Sequence, residues 1–154
     1  MIYQTTSKSV AATLKLGEKI GRNLKGQEVI ELASDLGGGK TLLVKGIAKG
    51  LGYKGQITSP TFTICRIYPI PKRRELHHFD FYRLSPNDIV ASELKDVAGL
   101  PRTITVIEWA DHIGLVTPAI TLKITLDITG SSQRAIAIES LQSSADHIIK
   151  ELKR

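Results

Sequence analysis

The sequence predicts an α/β domain built on a mixed β-sheet flanked by helices. Helical periodicity and short apolar, strand-like runs alternate in the first half of the chain, and strands dominate later. A glycine-rich turn separates one such run from the next helical stretch. The 154 residues, 42% hydrophobic and 23% charged, suffice for one buried core, so a single domain spanning 1–154 is expected.

The first element is an amphipathic helix over 9–24. Val10, Leu14, Ile20 and Leu24 recur near helical spacing, although Gly17 and Gly21 lower its intrinsic propensity. Glu28–Ala33 (EVIELA) is a short apolar run and reads as a buried strand. Ser34–Gly39 is a glycine-rich turn. Helical spacing resumes over Thr41–Leu51, with Gly52 as a C-cap. Ser59-Pro60-Thr61 is an extended kink, because proline disfavours α conformation in the residue before it.

Thr61–Ile70 (TFTICRIYPI) is β-branched and aromatic and predicts a strand. Glu75–Tyr82 returns antiparallel to it after a turn at Pro71–Arg74. Ser85-Pro86-Asn87-Asp88 reads as a helix start, with serine as N-cap and proline at the first helical position. That helix should stop before Gly99 and Pro101. Thr103–Ile107 (TITVI) is another buried strand, followed by Glu108 and Trp109. Ala119–Ile128 and Ala135–Ile138 are two more. A short basic helix over about 144–154 closes the chain.

The strongest chemical signal is Ser34-Asp35-Leu36-Gly37-Gly38-Gly39-Lys40-Thr41. It approximates G-x-x-x-x-G-K-[ST], with a strand before it and a helix after it, which predicts a P-loop NTPase-like fold. Glycines let the backbone wrap phosphate oxygens, and the helix N-terminus adds partial positive charge. Lys40 would reach the β- and γ-phosphates, and the Thr41 hydroxyl would ligate Mg²⁺. Ser34 departs from the pattern by standing where the first glycine belongs.

Such a loop needs an acid at the end of a buried strand. Glu108 closes TITVI and is the first candidate; an ordinary exposed strand-end acid is the alternative. Asp80, within HHFDFYR, could support magnesium or orient an attacking water, or be a satisfied polar residue on a half-exposed strand. Thr61 behind Pro60 reads either as a switch-loop threonine or as a strand residue. Trp109 reads as packed core. Cys65 reads as a buried, inert thiol. His77, His78 and Asp80 have no matching cysteine or histidine set elsewhere, so transition-metal binding is not expected. No N-K-x-D tetrapeptide occurs, which favours ATP over GTP.

Four segments in order, SDLGGGKT, TSPTF (Thr58–Phe62), HFDFYRL (His78–Leu84) and IEW (Ile107–Trp109), resemble the TsaE family, formerly YjeE. These are bacterial P-loop ATPases required for threonylcarbamoyladenosine modification of tRNA. The resemblance implies ATP and Mg²⁺ as cofactors. Asp35, Leu36, Gly37, Gly38, Gly39, Lys40, Thr41 and Leu42 would hold the nucleotide, with Thr61 and Trp109 beside it. Thr41 and Glu108 would handle Mg²⁺. Lys40, Asp80 and Glu108 would be catalytic, Asp80 near the γ-phosphate. Arg134 is a candidate for a family arginine. The family usually has glycine at Ser34 and alanine at Gly38.

TsaD and TsaB would be the partners, with contact to tRNA through their complex left open. Slow turnover without partners and a cytoplasmic location are expected. A small-molecule P-loop kinase is the alternative, and it would need an acceptor pocket and an arginine-rich lid. Lys72-Arg73-Arg74 is the one basic cluster of that kind. A basic RNA-binding module with a degenerate nucleotide site is a third reading, without a recognisable RNA-binding motif to support it. No apolar run is long enough to cross a membrane, and MIYQTTSKSV lacks the apolar stretch of a signal peptide. Lys plus Arg exceeds Asp plus Glu by 21 to 15, so the chain carries +6 and suits an anionic partner. Lys40, Lys45 and Lys49 are assigned to the phosphate loop. Arg73, Arg74, Lys150, Lys153 and Arg154 remain for tRNA or a partner protein.

Overall fold

The computed structural model describes residues 1–85, 90–113 and 119–154. The described strands form one seven-stranded sheet. In chain order its elements are β1 (Ile2–Ser7), α1 (Val10–Arg22), β2 (Val29–Ala33), α2 (Lys40–Gly50), β3 (Cys65–Ile70), β4 (Arg74–Asp80), α3 (Val90–Val97), β5 (Thr103–Glu108), β6 (Leu122–Ile128), β7 (Arg134–Ser140) and α4 (Asp146–Leu152). The spatial order is β1-β7-β6-β2-β5-β4-β3. β6, β2, β5 and β4 run parallel to one another, and the outer pairs β1–β7, β7–β6 and β4–β3 are antiparallel. The mixed α/β sheet expected from the sequence is therefore present.

Local chemistry sets the helix ends. The Ser9 side chain accepts a hydrogen bond from the Ala12 N–H at 3.1 Å and caps α1. After α2, Leu51 is the cap, and Gly52 follows one residue later at φ +93°. The Gly52 N–H donates to the Lys49 carbonyl and the Tyr53 N–H to the Ala48 carbonyl, which is a Schellman ending. The glycines that count against α1 in isolation pay off in packing. A Cβ on Gly21 would lie 2.2 Å from the Ile47 carbonyl oxygen, and one on Gly50 would lie 2.2 Å from that of Glu18. The two helices touch backbone to backbone, so side chains there are excluded.

The main core lies between α1, α2 and α4 and one face of the sheet, with Ile30, Leu32, Leu43, Ile47, Val106, Ile124 and Ile148 sealed inside. A smaller cluster on the opposite face packs Val29, Phe79, Phe81 and Ile107 against Leu94 of α3. Burying each such aromatic or branched side chain contributes about 1.5–3 kcal/mol. Strand alternation puts Leu76 and Val106 on the α2 side, together with His78, Asp80 and Glu108, and puts Phe79 and Ile107 opposite.

Several expectations are corrected. β1 is absent from the sequence reading, because IYQTTS is short and largely polar. It pairs with β7 from Ile2↔Glu139 to Ser7↔Arg134. The strand expected over Thr61–Ile70 starts only at Cys65. Residues 61–63 turn instead, with Thr63 N–H donating to the Pro60 carbonyl and Ile64 at φ +69°. The strand expected to run to Tyr82 ends at Asp80, and the one expected from Ala119 starts at Leu122. The terminal helix spans Asp146–Leu152, after a short 3-10 turn at Ser143–Ala145. Lys72 and Arg73, at φ +66° and +54°, form the turn between β3 and β4. Of the helix start assigned to Ser85–Asp88, residues 86–88 lie outside those described, and the helix is seen from Val90.

Candidate nucleotide site

The glycine-rich loop leaves the carboxyl end of β2 and enters α2. Gly39 is the N-cap of α2 at φ +98°, a left-handed conformation open to glycine, and no side chain caps the helix. The first-turn N–H groups are thus left to an anion, which the helix dipole also favours. Gly37 is left-handed as well, at φ +75°. Arg134, at the start of β7, braces the loop from behind. Its Nε donates to the Gly38 carbonyl at 2.9 Å and its Nη2 to the Gly37 carbonyl at 3.1 Å. The same guanidinium donates to Gly130 and Gln133 carbonyls, so it ties the loop to the β6–β7 turn.

Lys40 is 6% exposed. Its Nζ donates to the carbonyls of Ser34 at 3.0 Å and Asp35 at 3.2 Å, and lies 4.4 Å from the Trp109 ring centroid. Burial pushes the ammonium below its ordinary pKa, while the charges of Glu108, Asp80 and Asp35 pull it back up. A polyphosphate would give this cation charge-assisted partners better than backbone carbonyls.

The parallel register of β4 and β5 pairs Asp80 with Glu108 at the ends of both strands, on the α2 side. Both are nearly sealed, at 2% and 3% exposure. Asp80 Oδ2 accepts from Thr61 Oγ1 at 2.7 Å, and Oδ1 accepts from the Tyr82 N–H at 2.9 Å. Ser59 Oγ lies 2.7 Å from Thr61 Oγ1, so the 59–61 loop is tied to the acid. Glu108 Oε1 is 2.9 Å from Nε2 of the buried His78, which fixes that carboxyl group from below. Among the described residues, His78 Nδ1 has no hydrogen-bond partner.

These groups share one cavity of about 450 Å³, lined by the loop from Leu36 to Leu42 and by Thr61, Asp80, Glu108 and Trp109. Asp35 reaches the site through its carbonyl, which Lys40 holds. The expected residues are thus brought together. The Thr41 hydroxyl and the acids are hard oxygen donors of the kind Mg²⁺ takes, one or two carboxylates at a time with substrate phosphates completing the shell. They fit that ion.

Trp109 is not ordinary core. It sits at φ +60°, a rare conformation for a bulky residue, and it packs against Tyr82 at 5.0 Å and His112 at 5.8 Å. Lys45, assigned to the phosphate loop, lines the cavity; Tyr82 and Ser59 also line it and were missed as site residues. Both carried a signal, since Tyr82 lies in the HHFDFYR segment and Ser59 in TSPTF. Lys49, assigned to the phosphate loop, is instead paired with Glu18 of α1 at 3.2 Å. It sits more than two turns along α2 from the loop.

A family profile described as "Threonylcarbamoyl adenosine biosynthesis protein TsaE" matches residues 7–136. The chain is 37% identical over 136 residues to a tRNA threonylcarbamoyladenosine biosynthesis protein TsaE of Treponema pallidum, covering 86% of this chain and 96% of the relative. It is 33% identical over 136 residues to the protein of that name from Rickettsia prowazekii, covering 86% and 92%. The crystal structure of Bacillus subtilis YdiB superposes with a TM-score of 0.81 at 27% identity, over 100% of this chain and 95% of that one.

Proposed function

Since the chain belongs to the TsaE family of threonylcarbamoyladenosine biosynthesis proteins, we propose that it binds and hydrolyses ATP with Mg²⁺ as an accessory subunit of the tRNA-modifying machinery. The observation that carries this is the convergence of Lys40, Thr41, Asp80 and Glu108 on the one cavity at the mouth of the glycine loop. ATP is favoured because the guanine-reading N-K-x-D tetrapeptide is absent from the sequence.

Each residue has a task in this reading. The loop N–H groups and the α2 N-terminus bind the phosphates, and Lys40 compensates their charge in a desolvated setting where that charge counts for more. Thr41 and Glu108 would hold Mg²⁺, which supplies charge neutralisation on the phosphates when bound. His78 keeps the Glu108 carboxyl group turned toward the cavity. Asp80, oriented by Thr61 and the Tyr82 N–H, accepts a hydrogen bond from the attacking water and directs it. Trp109 walls the site and shields Lys40 from solvent.

TsaD and TsaB are the proposed partners, by family. The 59–62 segment is where they would act: it carries Thr61 and ends in Phe62, which is 79% exposed. A partner that ordered this segment would complete the site, so turnover by the chain alone is slow. The test is ATP hydrolysis by the purified chain, measured alone and with TsaD and TsaB. The expected result is a low basal rate, raised by the two proteins together. Unchanged hydrolysis with both present, or consumption of ATP that depends on an added small-molecule acceptor, overturns the reading.

A further inference from the structure

A second concavity, of about 690 Å³, lies between α1, α2 and the 53–57 loop. Lys45, Lys49 and Lys54 line it, and no aspartate or glutamate does. Its floor is apolar, with Ala48 of α2 and Ile57 of the loop, and the half-buried ring of Tyr53 forms one wall. The groove is preformed. Its helices are locked backbone to backbone: a Cβ on Gly17, Gly21, Gly46 or Gly50 would fall 2.2–2.5 Å from a carbonyl oxygen of the facing helix. The loop is pinned by the Schellman turn at Gly52 and by Tyr53, whose ring meets Tyr68 edge-on at 5.2 Å. Tyr68 Oη in turn hydrogen-bonds the Thr58 backbone.

Two features tie this groove to the nucleotide site. Lys45 lines both cavities. The 53–57 loop continues into Ser59, which hydrogen-bonds Thr61, and Thr61 donates to Asp80. Glu18 of α1 pairs with Lys49 at 3.2 Å. Lys49 is 70% exposed and Glu18 20%, so water still reaches the ammonium and screens the pair against a competing polyanion.

We infer that this groove is a binding site for an RNA strand, with its phosphates on Lys45, Lys49 and Lys54 and a base against Tyr53. A basic track beside an aromatic face, with no acid in the lining, is the arrangement that binds single-stranded nucleic acid irrespective of sequence. Lysines contribute point charges without geometric selectivity, as phosphate contacts require. Only the choice of RNA rests on the proposed role in tRNA modification. The position next to Thr61 makes the bound strand a neighbour of the switch-like loop.

The test is equilibrium binding of a labelled, unmodified tRNA transcript across a salt series. Wild type is compared with a Lys49→Gln/Lys54→Gln variant and with a Lys150→Gln/Lys153→Gln control on the terminal helix. Melting temperatures with and without ATP and Mg²⁺ are measured on every variant. The groove variant should bind RNA more weakly, with the slope of log affinity against log salt flattened by about 1.4–1.8 for two lost phosphate contacts. Its response to ATP should match wild type. RNA binding unchanged in the groove variant, or lost in the control instead, overturns the assignment. Displacement of the RNA by a poly-glutamate peptide at lower concentration than by unlabelled RNA also overturns it, in favour of an acidic protein segment. Loss of the ATP response in wild type with RNA binding retained refutes the nucleotide reading and leaves the groove standing.

Discussion

Replacing Gly38 by alanine probes how this phosphate loop is packed. Gly38 lies between two left-handed glycines but, unlike them, does not have a positive φ, so its backbone admits a side chain. The obstacle is Ser34. A Cβ on Gly38 would fall 1.4 Å from Ser34 Oγ and 2.7 Å from Ser34 Cβ. Rotating the hydroxyl away would sacrifice its 3.0 Å hydrogen bond to the Asp35 carbonyl and still leave two carbons too close. The backbone must therefore shift, and it is the backbone that holds Lys40 through the Ser34 and Asp35 carbonyls.

Overpacking of this kind costs about 1–3 kcal/mol. Carried into the binding site, that is roughly a 5- to 150-fold loss of ATP affinity. Ser34→Gly removes both clashing atoms, so Ser34→Gly/Gly38→Ala should recover most of the loss. The assay is calorimetric ATP binding with Mg²⁺ on wild type, both single variants and the double variant. A coupling of about 0.5–3 kcal/mol between the two positions is expected. Gly38→Ala binding as wild type does, or the double variant binding no better than Gly38→Ala, would refute the packing argument.

Asp80→Asn and Glu108→Gln should keep ATP binding within a few-fold while lowering hydrolysis by about 10²-fold or more, since their roles fall on the reacting groups; binding and single-turnover rates on the same preparations separate the two effects. Cys65 is half-buried, and burial raises its thiol from 9.0 to about 11, with Glu93 adding to the shift. Iodoacetamide at pH 8 should therefore modify it roughly 100-fold more slowly than in the denatured chain, in proportion to thiolate fraction. Because the folded value lies above the unfolded one, the associated stability is fully present below about pH 9 and is lost as pH rises toward 11; denaturant midpoints across that window check the sign.

The parts of the site that sequence revealed are those with local signatures. SDLGGGKT sits where a strand must turn into a helix, and TITVIE is buried along its whole length, so loop and strand-end acid were both readable. The pairing of Asp80 with Glu108 was not readable, because it depends on β4 and β5 being parallel neighbours in register. Thr61 was drawn into a strand by its β-branched surroundings, whereas Pro60 and the left-handed Ile64 bend that segment over the cavity. β1 was missed because its alternation is polar on both faces until it meets β7. Arg134 was named without a role. Its contacts to Gly37 and Gly38 cross 97 and 96 residues of sequence and follow only from the sheet order. Gly17 and Gly21 read as helix weaknesses because the backbone they must admit belongs to another helix.

Thermal unfolding with ATP and Mg²⁺ shows whether Lys40 and its loop bind the phosphates of ATP. At ATP with Mg²⁺ about 100-fold above the dissociation constant, binding adds about 2.7 kcal/mol to stability. For a chain of this size that raises the melting temperature by roughly 5–11 °C. Wild type should show this rise and Lys40→Ala should not. A wild-type melting temperature that ATP does not move, or an equal rise in Lys40→Ala, would contradict phosphate binding by Lys40 and its loop.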